Sequence, residues 1–99
     1  MEGYSIVIMP PAQLDALDIV DHLNTLTPEA AVSYYDLFVE KITMLSTTPE
    51  MCAPVRDTQL RLREYRALII DDYIIFYVFK GKTVELRRIL YAKRHYDQL

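Results

Sequence analysis

RALIIDDYIIFYVFKGKTVELRRIL, residues 66–90, is the stretch that decides the fold. Residues 66–70 and 73–79 are compact runs of β-branched and aromatic side chains. Asp71-Asp72 separates them, a two-residue reversal between antiparallel strands. Lys80-Gly81-Lys82 makes the next turn, and residues 83–90 read as the last strand. The order predicts a meander of at least three strands. Upstream, Leu60 and Leu62 alternate with Arg61 and Arg63, a half-buried edge pattern that makes residues 60–63 either a fourth strand or the end of a loop. Residues 51–58 show no periodicity, and Pro49 and Pro54 mark that segment as loop.

The first half of the chain is helical. Residues 12–23 carry Ala12, Ala16, Ile19, Val20 and Leu23 on one stripe, with Asp15, Asp18 and Asp21 off it and expected to face water. Pro10 and Pro11 suit the first turn of that helix. After a break at residues 24–26, Thr27 and Pro28 restart a helix as N-cap and first helical residue. Its stripe is Ala31, Tyr34, Tyr35, Phe38, Ile42 and Leu45, and residues 46–49 end it. Two such helices form an αα-hairpin that must bury its apolar side against something else. Residues 4–9 read as a short strand ahead of them. The whole predicts an α+β fold in one domain, residues 1–99: an N-terminal strand, an αα-hairpin, then a three- to four-stranded antiparallel meander with the helices on one face.

Composition narrows the function. The chain is 52% hydrophobic with only two glycines, which marks a folded globular domain rather than a disordered segment. A net charge of -3 argues against broad, charge-driven binding to nucleic acid. Yet ten of the eleven basic residues lie at Arg56 or later, Lys41 being the exception, so a basic face on an acidic body is available. Cys52 is the sole cysteine and no Cys/His spacing suits zinc, so neither a metal nor another cofactor is expected. No apolar run approaches the ~20 residues of a membrane span. The opening MEGYSIVIMPP lacks a basic region ahead of an apolar one, so a cytosolic chain is expected.

The ordered set of segments resembles the RelE/ParE superfamily of bacterial toxins. The carriers are the Pro-led first helix ending DIVDHL, the TPEAA start of helix two, its end ITMLSTTPE, EYRALIIDDYIIFYV, and the closing LRRILYAKRHYDQL. The resemblance implies the toxin half of a type II toxin–antitoxin module, of the plasmid-stabilising kind, held by a cognate antitoxin. It implies helix one and the last strands as docking surfaces, and self-association when antitoxin is absent. Two mechanisms follow from it. ParE-like members inhibit DNA gyrase without catalysis. RelE-like members are metal-independent endoribonucleases that cut mRNA in the ribosome with basic residues, sometimes with a histidine or tyrosine. In the nucleases the central strand often reads Tyr-Arg-Leu-Val-Tyr, and its arginine is functional. Here the stretch is Tyr73-Ile74-Ile75-Phe76-Tyr77, which puts Ile74 at that position and favours the ParE-like mechanism. A third expectation is a non-toxic, partner-binding member.

Under the nuclease reading the site is Arg94, His95 and Tyr96 with Arg66. Arg94-His95-Tyr96 is similar to the ending of the YoeB-like nucleases, and the closing ILYAKRHYDQL is equally similar to the ending common among ParE-like chains. Cleavage without metal needs a base, an acid and positive charge at the phosphorane. His95 has the pKa of a base, since His22 lies on the polar side of helix one. Arg94, Arg66 and Lys93 could supply charge, and Tyr96 could stack on a base or donate a proton. Each has a plainer reading. The Lys93–Tyr96 run can be a solvated chain end, and Arg66 can pair with Asp36 or Glu40. One of Arg87 and Arg88 must face the helices or be paired, since neighbours on a strand point to opposite faces. Arg61 and Arg63 are expected to blunt a sheet edge, and Tyr34, Tyr35 and Tyr77 to lie in the core.

Overall fold

The computed structural model describes residues 3–91. β1 (Ser5–Ile8) leads into α1 (Pro10–Leu23) and α2 (Pro28–Thr47). A 3-10 turn, Pro49–Met51, and a short α3 (Thr58–Leu62) precede β2 (Arg66–Ile70), β3 (Tyr73–Lys80) and β4 (Thr83–Tyr91). The strands form one mixed sheet in the order β1-β4-β3-β2, with β1 parallel to β4 and the last three antiparallel. The expected α+β architecture is the one observed.

Local chemistry explains the boundaries. Thr27 caps α2, its hydroxyl accepting from Ala30 N at 3.3 Å. Asp71 takes φ +53° in the β2–β3 reversal, and Gly81 takes φ +56° in the β3–β4 turn. Such backbone suits Asp tolerably and Gly freely. Gly3 answers a different need. Tyr4 N donates to Ser46 O at 2.6 Å, and a Cβ at Gly3 would lie 3.0 Å from that same oxygen.

Residues 60–63 do not form an edge strand. The Asp57 carboxylate accepts from Leu60 N at 3.1 Å and starts α3, whose Leu60 is buried while Leu62 faces solvent. A capping acid thus overrides a four-residue alternation too short to commit the backbone. Arg61 and Arg63 are accordingly exposed side chains at the end of a helix, not along a sheet edge.

The two faces of the sheet are covered differently. Ile75, Tyr77, Leu86 and Ile89 pack with Ala12 of α1 and Leu45 of α2. Ile74, Phe76 and Leu90 face the other way and pack with Val55 and Leu60. Phe76 and Tyr77 are fully buried, and burial of such side chains stabilises by roughly 1.5–3 kcal/mol each. The Tyr77 hydroxyl donates to Pro49 O at 2.6 Å, tying the end of the hairpin to the central strand. Tyr35, expected in the core, is 40% exposed.

A bulge in β4 decides which residues reach each face. Tyr77 pairs with Leu86 and Phe76 with Arg88, so Arg87 is the extra residue. Before it Val84 and Leu86 face the helices; after it Ile89 does. Arg87 meets Glu85 at 2.7 Å. Arg88 reaches Asp15 of α1, with Nε to Oδ2 at 2.7 Å and Nη2 to Oδ1 at 3.0 Å. The same Oδ2 accepts Ile89 N at 2.9 Å. Asp15 is therefore not a solvated acid, as the stripe pattern implied. It seals the part of β4 that β1, ending at Ile8 opposite Leu86, leaves open. The pair also pushes the Arg88 pKa above its ordinary value, chiefly through the hydrogen bond to Asp15.

Asp15→Ala should lower stability by about 2–4 kcal/mol, because it strands a half-buried guanidinium and a strand N–H together. Asp15→Asn, which can still accept, should cost less. Urea midpoints of the two variants check the order. A second expectation concerns Tyr34 of α2, whose hydroxyl donates to Asp71 Oδ2 at 2.7 Å. That bond, with smaller effects of burial and nearby charge, raises its pKa from 10.0 to about 12. The folded value exceeds the unfolded one, so the latch contributes fully below pH 10 and is lost as pH rises through about 12. Unfolding at stepped alkaline pH should show this loss in the wild type and not in Tyr34→Phe.

Candidate functional site

The sequence singled out Arg66, Ile74 and the Lys93–Tyr96 run. Lys93, Arg94, His95 and Tyr96 lie outside the described residues. β4 is described as far as Tyr91, which pairs with Tyr73 beside the β2–β3 turn; the two rings stand 5.6 Å apart.

Arg66 opens β2 at the opposite end of that strand pair, opposite Tyr77. Four residues of strand separate Tyr77 from Tyr73, roughly 13 Å at ~3.3 Å per residue. Neither Asp36 nor Glu40 is its partner. Its Nη1 donates to Cys52 O and, at 3.4 Å, to Glu50 O, while its guanidinium carbon lies 5.3 Å from the centroid of Phe79. Arg66 thus pins the loop after α2 to the sheet. Its neighbour Tyr65 accepts Val55 N at 3.0 Å, and Pro54 bridges Arg66, so this loop closes one end of the β2 edge. Carbonyl acceptors are common to every residue and carry no sequence signal, unlike the carboxylates of Asp36 and Glu40.

Ile74 is 4% exposed, among Val55, Leu60, Phe76 and Leu90. The position is apolar on all sides named, so it carries structure and no polar chemistry. His22 is exposed and lines a cleft of about 290 Å³ with Asp18, Ile19, Tyr73 and Tyr91. Among the described residues no group of three or more His, Cys, Asp or Glu is placed to hold a metal ion. None of the described helices is long and apolar enough to cross a membrane.

The resemblance implies a docking surface on helix one, but the sequence reading did not name the apolar residues that the hairpin shows to solvent. Leu14 and Leu17 of α1 are 66% and 62% exposed, and Val32 and Val39 of α2 are 57% and 64% exposed. Each pair sits on the side of its helix away from the buried stripe, one or two turns apart. Asp18, Asp21, Asp36 and Glu40 are exposed on the same two helices. The sequence pattern held a signal for this, since Leu14, Leu17, Val32 and Val39 fall off both core stripes. An apolar strip rimmed by charge, outside a completed core, marks a surface that a partner covers.

A helical hairpin laid on a mixed four-stranded sheet is the architecture that the resemblance to RelE/ParE superfamily toxins implied. The model of the ParE toxin family of type II toxin–antitoxin systems, parDE, matches residues 6–96, and the chain belongs to that family. Among solved structures it is similar to the chromosomal ParDE toxin–antitoxin system from P. aeruginosa, with TM-score 0.71 and 22% identity. That match covers 91% of this chain and 97% of the other. No curated protein sequence matches.

The burial of Ile74 makes a direct prediction. Ile74→Arg should destabilise by about 3 kcal/mol or more, because the cluster offers the guanidinium no partner. Ile74→Val should cost only about 1 kcal/mol. Thermal denaturation of the two variants against wild type checks the contrast.

Proposed function

We propose that this chain is the toxin of a type II toxin–antitoxin module, acting as a non-catalytic inhibitor of DNA gyrase and silenced by a cognate antitoxin. The observation that carries the choice is Ile74. The residue at the place of the nucleases' strand arginine is an apolar side chain sunk in the Val55–Leu60–Phe76–Leu90 cluster. Membership of the ParE family supports the same choice. Antitoxin binding is supported by the outer strip of α1 and α2, where an amphipathic segment could bury Leu14, Leu17, Val32 and Val39.

The second reading, a ribosome-dependent mRNA endoribonuclease, is favoured by the Arg94-His95-Tyr96 sequence alone. In it His95 is the base, Arg94 and Arg66 supply charge for the phosphorane, and Tyr96 stacks or donates a proton. Induced expression in a bacterial host separates the two. A gyrase inhibitor gives filamentation and a DNA-damage response with messages intact. A nuclease gives rapid translation arrest with cuts in translated messages, and Arg94→Ala abolishes them. Unimpaired growth moves the weight to a partner-binding chain without toxicity.

The docking surface has its own test. Leu17→Glu combined with Val39→Glu should weaken antitoxin binding at least tenfold, measured by titration calorimetry. Both positions are exposed, so the unfolding free energy from urea denaturation should fall by no more than about 0.5 kcal/mol per site.

A further inference from the structure

We propose that the cleft between α3 and the Phe79 end of β3 is a carboxylate site that takes an acidic side chain from a partner polypeptide. The cleft measures about 340 Å³ and is lined by Pro54, Arg61, Glu64, Arg66 and Phe79. It lies apart from the outer strip of the hairpin, and the gyrase reading gives it no role, whereas the nuclease reading would use its Arg66.

Arg66 makes this a prepared site. Its Nη1 is committed to the carbonyls of Glu50 and Cys52, and its guanidinium carbon stands 5.3 Å from the Phe79 ring centroid. Those contacts orient the guanidinium plane before any ligand arrives, so little rotamer freedom is left to lose on binding. They occupy one of three nitrogens. Among the described residues no acceptor meets Nε or Nη2. These two nitrogens form the side of a guanidinium that grips a carboxylate through two parallel hydrogen bonds.

The charges in the cleft choose among anions. Arg61 and Arg66 face one carboxylate, Glu64, which leaves one net positive charge. A monoanion neutralises that balance, whereas a dianionic phosphate would leave a net negative charge in the cleft beside Glu64. Pro54 and Phe79 supply an apolar wall on which the methylene stem of a Glu or Asp side chain can lie. The hairpin, by contrast, holds Asp15, Asp18, Asp21, Glu29, Asp36 and Glu40 against Lys41 alone, and repels an acidic segment. An acidic residue of a partner is thus drawn to the α3 side of the molecule, where Arg61 and Arg66 stand.

The test uses the full chain without antitoxin or target, so its failure is distinct from failure of the toxin reading. N-acetylglutamate α-amide is titrated while the Arg66 Nε–H and Phe79 resonances are followed by NMR, with N-acetylglutamine α-amide and inorganic phosphate in parallel. The expected result is saturable shifts at Arg66 with the carboxylate, at about millimolar affinity for so small a probe. The neutral amide should give none, and phosphate should bind at least fivefold more weakly. Arg61→Gln, at an exposed position outside the core, should weaken the carboxylate several-fold while the fold is kept. Absence of saturable shifts at Arg66 Nε–H overturns the proposal. So does an equal response to the neutral amide, tighter binding of phosphate, or an unchanged affinity in Arg61→Gln.

Discussion

The Asp15 carboxylate is the constraint on which the rest of this fold depends. β1 pairs with β4 only from Thr83 to Leu86, yet β4 continues to Tyr91. A strand edge left open there would expose unpaired N–H groups beside the core, a costly arrangement. Asp15 closes it from α1, accepting Ile89 N and both arms of Arg88. One side chain thereby replaces the strand partner that β1 does not supply. It also sets the position of α1, and through the hairpin that of α2, against the sheet.

The clamp works only because β4 is bulged. Without the extra residue, even positions would keep facing the helices beyond Leu86. Arg88 would then enter the core and Ile89 would leave it. With Arg87 as the extra residue, Ile89 fills the core and Arg88 is free to meet Asp15. The bulge and the ion pair are one device. Swapping both partners for apolar groups could be tolerated energetically, but removing one leaves the other half-buried and alone. The pair therefore specifies register more than it adds stability.

Much of this fold was legible because its signals are local. Thr27-Pro28, Asp71-Asp72 and Lys80-Gly81-Lys82 each mark a boundary through residues that touch one another in sequence; the structure keeps the first two, and in the third Lys80 joins β3 so that Gly81-Lys82 alone make the turn. The losses came where the deciding partner is remote or weakly coded. Asp15 lies off the apolar stripe and so reads as solvated, since its partner Arg88 is 73 positions away and its reach depends on a bulge. Residues 60–63 satisfy a two-residue period over too short a span, while the stronger signal, Asp57 ahead of Thr58, precedes them. Arg66 was legible as special but not in its partners, which are carbonyls. Of the candidate site, Ile74 was readable as a departure; why it matters, burial on the face opposite the hairpin, needed the sheet.

Charge distribution ties these observations together. The hairpin is acidic and the strand half is basic, and Asp15–Arg88 is one point where the two meet in a well-formed pair. At 13% and 26% side-chain exposure, that pair is shielded from salt, whereas the exposed acids of the hairpin and the cations of α3 are not. Moderate salt should therefore leave the helix–sheet junction intact while weakening attraction at both surfaces. Stability and recognition are in this way assigned to different charges. The partly buried pair holds the register, and the outer charges are left to the two proposed surfaces, with Arg61 and Arg66 suited to acidic partners and the strip of Leu14, Leu17, Val32 and Val39 to basic-rimmed apolar ones. A chain with an overall charge of -3 can thus offer two surfaces of opposite preference without either one disturbing the core that joins them.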